Sequence, residues 1–225
     1  QFSTLGLSQP ICDVLDQLGF QSPMPIQEEA IPLLLSKNPT DFIGLAQTGT
    51  GKTAAFGLPL IELIDVGNPN VQALIMAPTR ELGLQTAKQL VQFSDARKGL
   101  NVEVVYGGAN IVAQIKALKK PTQIVVATPG RLLDLIKRKA INLEIVKYVI
   151  LDEADEMLNM GFVDDIEEIL RATDEEKSIW LFSATMPSEI RRIVKKYMKD
   201  PLEVAVNTEE KSNKDIDHQY VITSS

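Results

Sequence analysis

Eight residues, Ala46-Gln47-Thr48-Gly49-Thr50-Gly51-Lys52-Thr53, stand between an apolar run and a stretch with helical spacing, and their types suit a phosphate chain. Gly49 and Gly51 let successive backbone N–H groups turn toward phosphate oxygens with no Cβ in the way. A helix starting near Lys52 adds the positive end of its dipole. Lys52 has the reach for β- and γ-phosphates, and the Thr53 hydroxyl suits a Mg²⁺ ion. The pattern is a Walker A loop with Ala46 at the first glycine position. A Gly–Thr turn joining a strand to a helix uses similar residues, so this loop taken alone leaves both readings open.

A second group decides between them. Val149-Ile150-Leu151-Asp152-Glu153 is an apolar strand that delivers two carboxylates at its C-terminal end, the edge where α/β sheets bind ligands. Asp152 suits Mg²⁺, through water, because that ion keeps several waters and takes few carboxylates. Glu153 is placed to orient and deprotonate an attacking water. Taken alone, the two acids would be the ordinary first turn of a helix. Together with the loop they read as a site for nucleoside-triphosphate hydrolysis.

Parts of one fold must bring these groups together. Short apolar or β-branched runs recur at Asp41–Ala46, Val71–Ala77, Val102–Tyr106, Gln123–Thr128, Tyr148–Asp152, Ile179–Ser183 and Leu202–Val206. Most are continuous rather than alternating, as strands covered on both faces require. Amphipathic stretches lie between them, such as Phe162, Val163, Ile166, Ile169 and Leu170 with acids on the opposite side. Alternation of strand and helix predicts an α/β domain of three layers, a mostly parallel sheet of about seven strands between helices. Residues 1–206 form that domain. Asn207–Asp217 is polar and aperiodic, and His218–Thr223 turns strand-like, so 207–225 reads as a linker into a further domain.

Bulk properties exclude little else. The 225 residues are 44% hydrophobic and 24% charged, enough for a substantial core. The longest apolar stretch, Ala54–Ile64, is broken by Gly57 and Pro59 and carries Glu62, so nothing is fit to span a bilayer. No signal segment opens the chain, and the lone Cys12 admits no internal disulfide, so the reading is a cytoplasmic protein. The start at Gln1 reads as a trimmed chain. Net charge is −7, but charge is local: eleven acids lie between Asp152 and Glu176, while Arg191, Arg192, Lys195, Lys196 and Lys199 make a basic stretch. The total therefore says nothing for or against a nucleic-acid partner. Trp180 reads as core, His218 as an exposed linker residue, and Asp164–Glu168 as a solvated helix face.

Asp152-Glu153-Ala154-Asp155 spells the name motif of the DEAD-box RNA helicases, and further motifs resembling theirs follow in family order. These are Pro78-Thr79-Arg80-Glu81-Leu82, Gly107-Gly108, Thr128-Pro129-Gly130-Arg131 and Ser183-Ala184-Thr185. Upstream, Gly19-Phe20-Gln21-Ser22-Pro23-Met24-Pro25-Ile26-Gln27 resembles the Q motif, with Phe2 at the family's usual distance before it. The resemblance covers nearly the whole chain, and Leu151–Phe162 looks most like the bacterial cold-shock DeaD branch. Ala46 in place of the first loop glycine is usual in that family. Met24 is a departure: it stands where the family generally has Thr, so a hydroxyl contact is lost there.

The resemblance implies a RecA-like P-loop NTPase domain with ATP and Mg²⁺ as cofactors and RNA as a partner. ATP would be held by Phe2, Phe20, Gln27 and Ala46 to Thr53 (Ala46, Gln47, Thr48, Gly49, Thr50, Gly51, Lys52, Thr53). Lys52, Asp152 and Glu153 would be catalytic, with Thr53 and Asp152 at the metal. Gln27 offers donor and acceptor side by side, which matches adenine's N6–H and N7 and mismatches guanine; Phe2 would stack on the base. The residues alone would also suit an exposed helix glutamine and a core phenylalanine.

RNA would lie on Pro78, Thr79, Arg80, Gly108, Thr128, Pro129, Gly130 and Arg131. Thr79 and Thr128 each precede a helix and read as caps whose spare N–H groups suit phosphate oxygens without reading bases. Arg80 and Arg131 oppose their helix dipoles, which makes better sense facing an anion. Ordinary caps and a turn would look alike at each point taken singly. Asp155, Ser183 and Thr185 would couple nucleotide state to RNA, with the Ser183 strand between those of Lys52 and Asp152. The arginine finger would come from a second RecA-like domain of the parent chain. A P-loop ATPase acting on DNA or protein, or a docking platform with a vestigial site, are the other readings.

Overall fold

The computed structural model describes residues 1–36 and 40–206. Seven strands form one sheet: β1 (Phe42–Leu45), β2 (Ala73–Met76), β3 (Val102–Val105), β4 (Ile124–Ala127), β5 (Tyr148–Asp152), β6 (Ser178–Ser183) and β7 (Leu202–Ala205). Their order is β3-β4-β2-β5-β6-β1-β7, and every pairing is parallel. The expected strands are all present, each within one or two residues. The sequence runs overshoot because hydrogen bonding continues past the regular ladder, as where Ala46 N–H donates to Ser183 O at 3.0 Å.

Continuous apolar runs become two cores because the pleat sends successive side chains to opposite faces. Along β5, Tyr148 and Ile150 enter one core, while Val149 and Leu151 enter the other. Ala73 and Ile75 of β2 and Trp180 and Phe182 of β6 join the first; Leu74, Met76, Ile179 and Leu181 join the second. Helices α1 (Gln9–Gln17), α2 (Pro25–Leu34), α3 (Lys52–Leu63) and α4 (Arg80–Ser94) cover the first face. Helices α5 (Ile111–Leu118), α6 (Pro129–Lys137), α7 (Ala154–Asn159), α8 (Val163–Ala172) and α9 (Ser188–Tyr197) cover the second. Side chains buried like Trp180 and Phe42 stabilise the fold by roughly 1.5–3 kcal/mol each.

One expectation fails on packing. Glu167 is not on a solvated helix face: it is 9% exposed, accepts from Lys196 Nζ and Tyr197 Oη, and pairs with Arg171 and Arg192. The basic stretch of α9 therefore clamps α8 in place of facing only water. Apolar periodicity assigns the helix but does not show that a neighbouring helix brings cations to one acid. Residues 207–225, including His218, lie outside the described residues.

Candidate nucleotide cleft and adjoining sheet edge

The C-terminal edge of a parallel sheet gathers every loop that follows a strand, and here the edge divides into two halves. β5, β6 and β1 end beside one another and carry Asp152, Ser183 and the Ala46–Thr53 loop. β6 lies between β1 and β5, as expected, with Leu45 paired to Ser183 and Asp152 to Phe182. A cleft of about 330 Å³ opens over them, lined by Phe20, Met24, Gln27, Thr48, Gly49, the Gly51–Ala54 turn, Asp152 and Glu153.

The loop turns back at two left-handed glycines, Gly49 at φ +82° and Gly51 at φ +86°. Gly51 caps α3, so that helix begins at Lys52 and points its N-terminus into the cleft. Lys52 is buried, and its Nζ donates to Ala46 O at 3.1 Å and lies 4.0 Å from Glu153 Oε1. Thr48 Oγ1 donates to the same Glu153 oxygen at 3.2 Å, and Thr50 Oγ1 donates to Gln47 O at 2.6 Å. Glu153 holds a left-handed backbone, φ +53°, the kind of strain that tends to gather at functional sites.

Asp152 is 7% exposed, and its Oδ1 has no hydrogen-bond partner. Burial pushes its carboxyl up to about 7, against the Lys52 ammonium, which favours the charged form. A buried orphan oxygen beside a lysine, in a cleft that Thr53 also lines, fits a divalent ion held through few protein oxygens and several waters.

At the other end of the cleft, Gln27 is 2% exposed. Its Oε1 accepts from Met24 N–H at 2.9 Å and its Nε2 donates to Gly51 O at 3.1 Å. The Met24 position thus keeps a local bond through its backbone without a hydroxyl. A carboxamide has two donors and two acceptor lone pairs; Gln27 retains one of each. Phe20 lines the cleft, held edge-on by Phe2 at 6.2 Å and Phe93 at 5.8 Å. Phe2 itself is 6% exposed and lies in the core against Phe20. Its apolar bulk is used to hold Phe20.

Asp155, just beyond β5, ties that strand's end to the end of β6. Thr185 donates to Asp155 Oδ2 twice, from N at 3.0 Å and from Oγ1 at 2.9 Å. Asp155 N donates to Ser183 Oγ at 3.2 Å, and that hydroxyl donates to Thr185 O at 2.8 Å. Burial alone would raise the Asp155 carboxyl; the bonds from Thr185 and Ser183 outweigh it and hold the group below its usual value.

The other half of the edge, β3-β4-β2, carries the remaining motifs. Thr79 caps α4, accepting from Leu82 N–H at 3.2 Å. Thr128 precedes α6 without a side-chain cap bond, so the expected cap is there only in its backbone. Pro129 is buried and Gly130 exposed, and Pro78 is buried behind Thr79. Gly108, at φ +80°, has open space where a Cβ would sit. The Arg80 guanidinium is exposed and stacks 4.8 Å over the Tyr106 ring. Arg131 is partly exposed and has protein partners for two of its five N–H donors. It donates to Gln114 Oε1 at 2.6 Å and Ala109 O at 3.1 Å, bracing the loop that contains Gly108.

Several residues escaped sequence reasoning. Leu82, Gln85, Thr86 and Gln89 of α4 line the cleft. The i, i+3, i+4 and i+7 spacing shows one helix face, but only the packing of α4 beside α3 turns that face to the loop. Tyr106 and Gln114 were missed because their partners, Arg80 and Arg131, come from other strands' loops.

Known proteins agree with this arrangement. The DEAD/DEAH box helicase family matches residues 24–193. The ATP-dependent RNA helicase CshA of Limosilactobacillus reuteri is 50% identical over 221 residues, covering 98% of this chain and 44% of that protein. The ATP-dependent RNA helicase DeaD of Escherichia coli K12 is 48% identical over 219 residues, covering 97% of this chain and 34% of that protein. A crystal structure of a DEAD box protein from the hyperthermophile Methanococcus jannaschii superposes with a TM-score of 0.87 at 48% identity, over 92% of this chain and 56% of that one. The chain thus spans less than half the length of these two curated relatives. With the family match over most of its length and a phosphate loop, an acidic strand end and the Asp155–Thr185 link on one sheet edge, the chain belongs to the DEAD/DEAH box helicase family.

Proposed function

We propose that this chain is the nucleotide-binding half of an ATP-dependent RNA helicase, a domain spanning 1–206 that binds ATP with Mg²⁺ and grips RNA. The observation that carries this reading is the meeting of Lys52, the orphaned Asp152 oxygen and Glu153 in the same cleft as Gln27. The Gly49–Thr53 turn and the α3 N-terminus bind phosphates, with Lys52 leaving Ala46 O to reach them. The spare donor and acceptor of Gln27 take adenine's edge. Thr53 and Asp152 would hold Mg²⁺, which when bound supplies positive charge against the phosphates. Glu153, positioned by Thr48, orients the attacking water and takes its proton.

On the neighbouring half of the edge, the α4 and α6 N-termini and the open Gly108 turn receive RNA backbone phosphates without reading bases. Arg80 contributes charge there. Asp155, Ser183 and Thr185 tie the nucleotide side to the end of β6 and report its state. A second RecA-like domain of the parent, joined through 207–225, supplies the arginine finger and closes on ATP and RNA. The setting is the cytoplasm; among the described residues no helix is long and apolar enough to cross a membrane.

Titration of the chain with ADP, ATP and GTP analogues, with and without Mg²⁺, tests the reading. Adenine nucleotides should bind in preference to guanine nucleotides, and Lys52→Ala should abolish binding. Hydrolysis by this chain alone should be slower than by the parent by roughly a thousandfold, the scale of a missing arginine finger. Equal affinity for ADP and GDP, or RNA-stimulated turnover at the parent's rate, would refute it.

A further inference from the structure

Met24 lines the cleft beside Gln27, and the reading above gives it no work. It stands at the N-cap of α2, where Ser, Thr, Asp and Asn are the favoured residues. Its side chain is 40% exposed, so core packing does not account for it. The thioether lies against the phosphate loop: a Cβ at Gly51 would fall 2.8 Å from Met24 Sδ. Met24 lines the same cleft as Phe20 and as Gln27, whose free donor and acceptor can read only the edge of a base. An edge reader discriminates well between bases, but the flat face of a purine needs apolar contact to leave water. A thioether is flexible and polarizable, and contacts between sulfur and aromatic rings are favourable.

We propose that Met24 is a base-contacting residue, its thioether packing on the ring of the nucleotide base whose edge Gln27 recognises. This inference rests on the nucleotide-binding reading and adds to it a division of labour. Gln27 supplies base identity, and Met24 supplies affinity for any base. The phosphates, held by Gly49–Thr53, are independent of Met24.

That division sets the experiment. The chain is titrated calorimetrically with ADP, GDP and inorganic pyrophosphate, as parent, Met24→Ala, Met24→Leu and Lys52→Ala. Met24→Ala should weaken ADP and GDP alike by about two- to tenfold, the scale of a sulfur–aromatic contact. The ADP-to-GDP ratio and pyrophosphate affinity should hold, and Met24→Leu should restore most of the loss. Unchanged ADP affinity in Met24→Ala overturns the proposal. So does an equal loss for pyrophosphate, which would make Met24 a prop for Gly51 and nothing more. Lys52→Ala separates the two levels: if it binds ADP as the parent does, the phosphate-site reading fails, whatever Met24 does.

A chemical arm avoids any folding defect in the alanine variant. Met24 and Met160 are the large exposed methionines, at 40% and 46%. Hydrogen peroxide transfers one oxygen atom to sulfur, breaking its O–O bond, forming S=O and leaving water. In a Met160→Leu chain, peroxide should weaken ADP binding with pyrophosphate unaffected; in Met24→Leu/Met160→Leu it should change neither. Equal ADP loss in both chains overturns the assignment to Met24.

Discussion

Gln27 binds the carbonyl of Gly51 at 3.1 Å, so the residue proposed to read the base is bonded directly to the loop proposed to hold the phosphates. The approach requires glycine twice over. Residue 51 sits at φ +86°, and a Cβ there would strike the Gln27 amide and Met24 Sδ. Gly51→Ala should therefore cost about 1–2 kcal/mol in backbone strain and displace Gln27 as well. Urea denaturation should show the first effect, and ADP titration at least a tenfold loss. Parental ADP affinity in that variant would show that the contact does not matter.

Gln27→Ala tests base recognition apart from loop geometry. Removing the carboxamide takes away both spare hydrogen-bonding groups and also the acceptor of Met24 N–H. A bidentate amide–base pair discriminates by about 1–3 kcal/mol, so the ADP-over-GDP preference should fall about fivefold or more. Pyrophosphate affinity should change far less. A preference that survives intact would transfer base reading to another residue.

Arg80 and Arg131 should behave differently toward RNA. Arg80 is exposed and stacked on Tyr106, whereas Arg131 is bonded to Gln114 and Ala109. Arg80→Ala should weaken single-stranded RNA binding and reduce the log–log salt slope by about 0.7, one phosphate contact. Arg131→Ala should weaken binding by loosening the Gly108 turn, with little change in slope. Fluorescence anisotropy at several salt concentrations measures both; the reverse pattern would exchange their roles.

Asp155 supplies a pH test of the link to β6. Burial raises its carboxyl, but the Thr185 and Ser183 bonds prevail and lower it below the ordinary 3.8. A carboxylate whose folded pKa is depressed stabilises the fold above its unfolded pKa, and that contribution fades as pH falls through the folded value. Asp155→Asn should thus be less stable than the parent at pH 7, by roughly 1 kcal/mol given partial exposure. The gap should narrow in strong acid, below about pH 4. Denaturation midpoints at pH 7 and pH 3 decide it; a constant gap would mean that charge plays no part.

Much of this was legible from residue order because the chemistry at the β1 and β5 ends is local. Val149–Glu153 declares both a buried strand and its terminal acids, and Gly49–Thr53 declares both a turn and a helix start. What stayed hidden depends on contacts between distant segments. Nothing in the neighbourhood of Phe2 says that it packs edge-on against Phe20 in the core. Glu167 looks like any acid on an amphipathic helix until α9 brings Lys196 and Arg192 to it. Arg131 has the residue type of an anion ligand, yet Gln114, on a different helix, and the Ala109 carbonyl take two of its five donors. In each case the residue type was read correctly and the partner was supplied by tertiary packing.

Helix α4 touches both halves of the sheet edge. Its first residue, Arg80, stands over Tyr106, while Gln85 and Gln89 further along face the nucleotide cleft. An α-helix of 15 residues is a stiff rod roughly 22 Å long. The Tyr106 contact and the cleft wall therefore belong to one rigid element, so a displacement at either end of it is carried to the other.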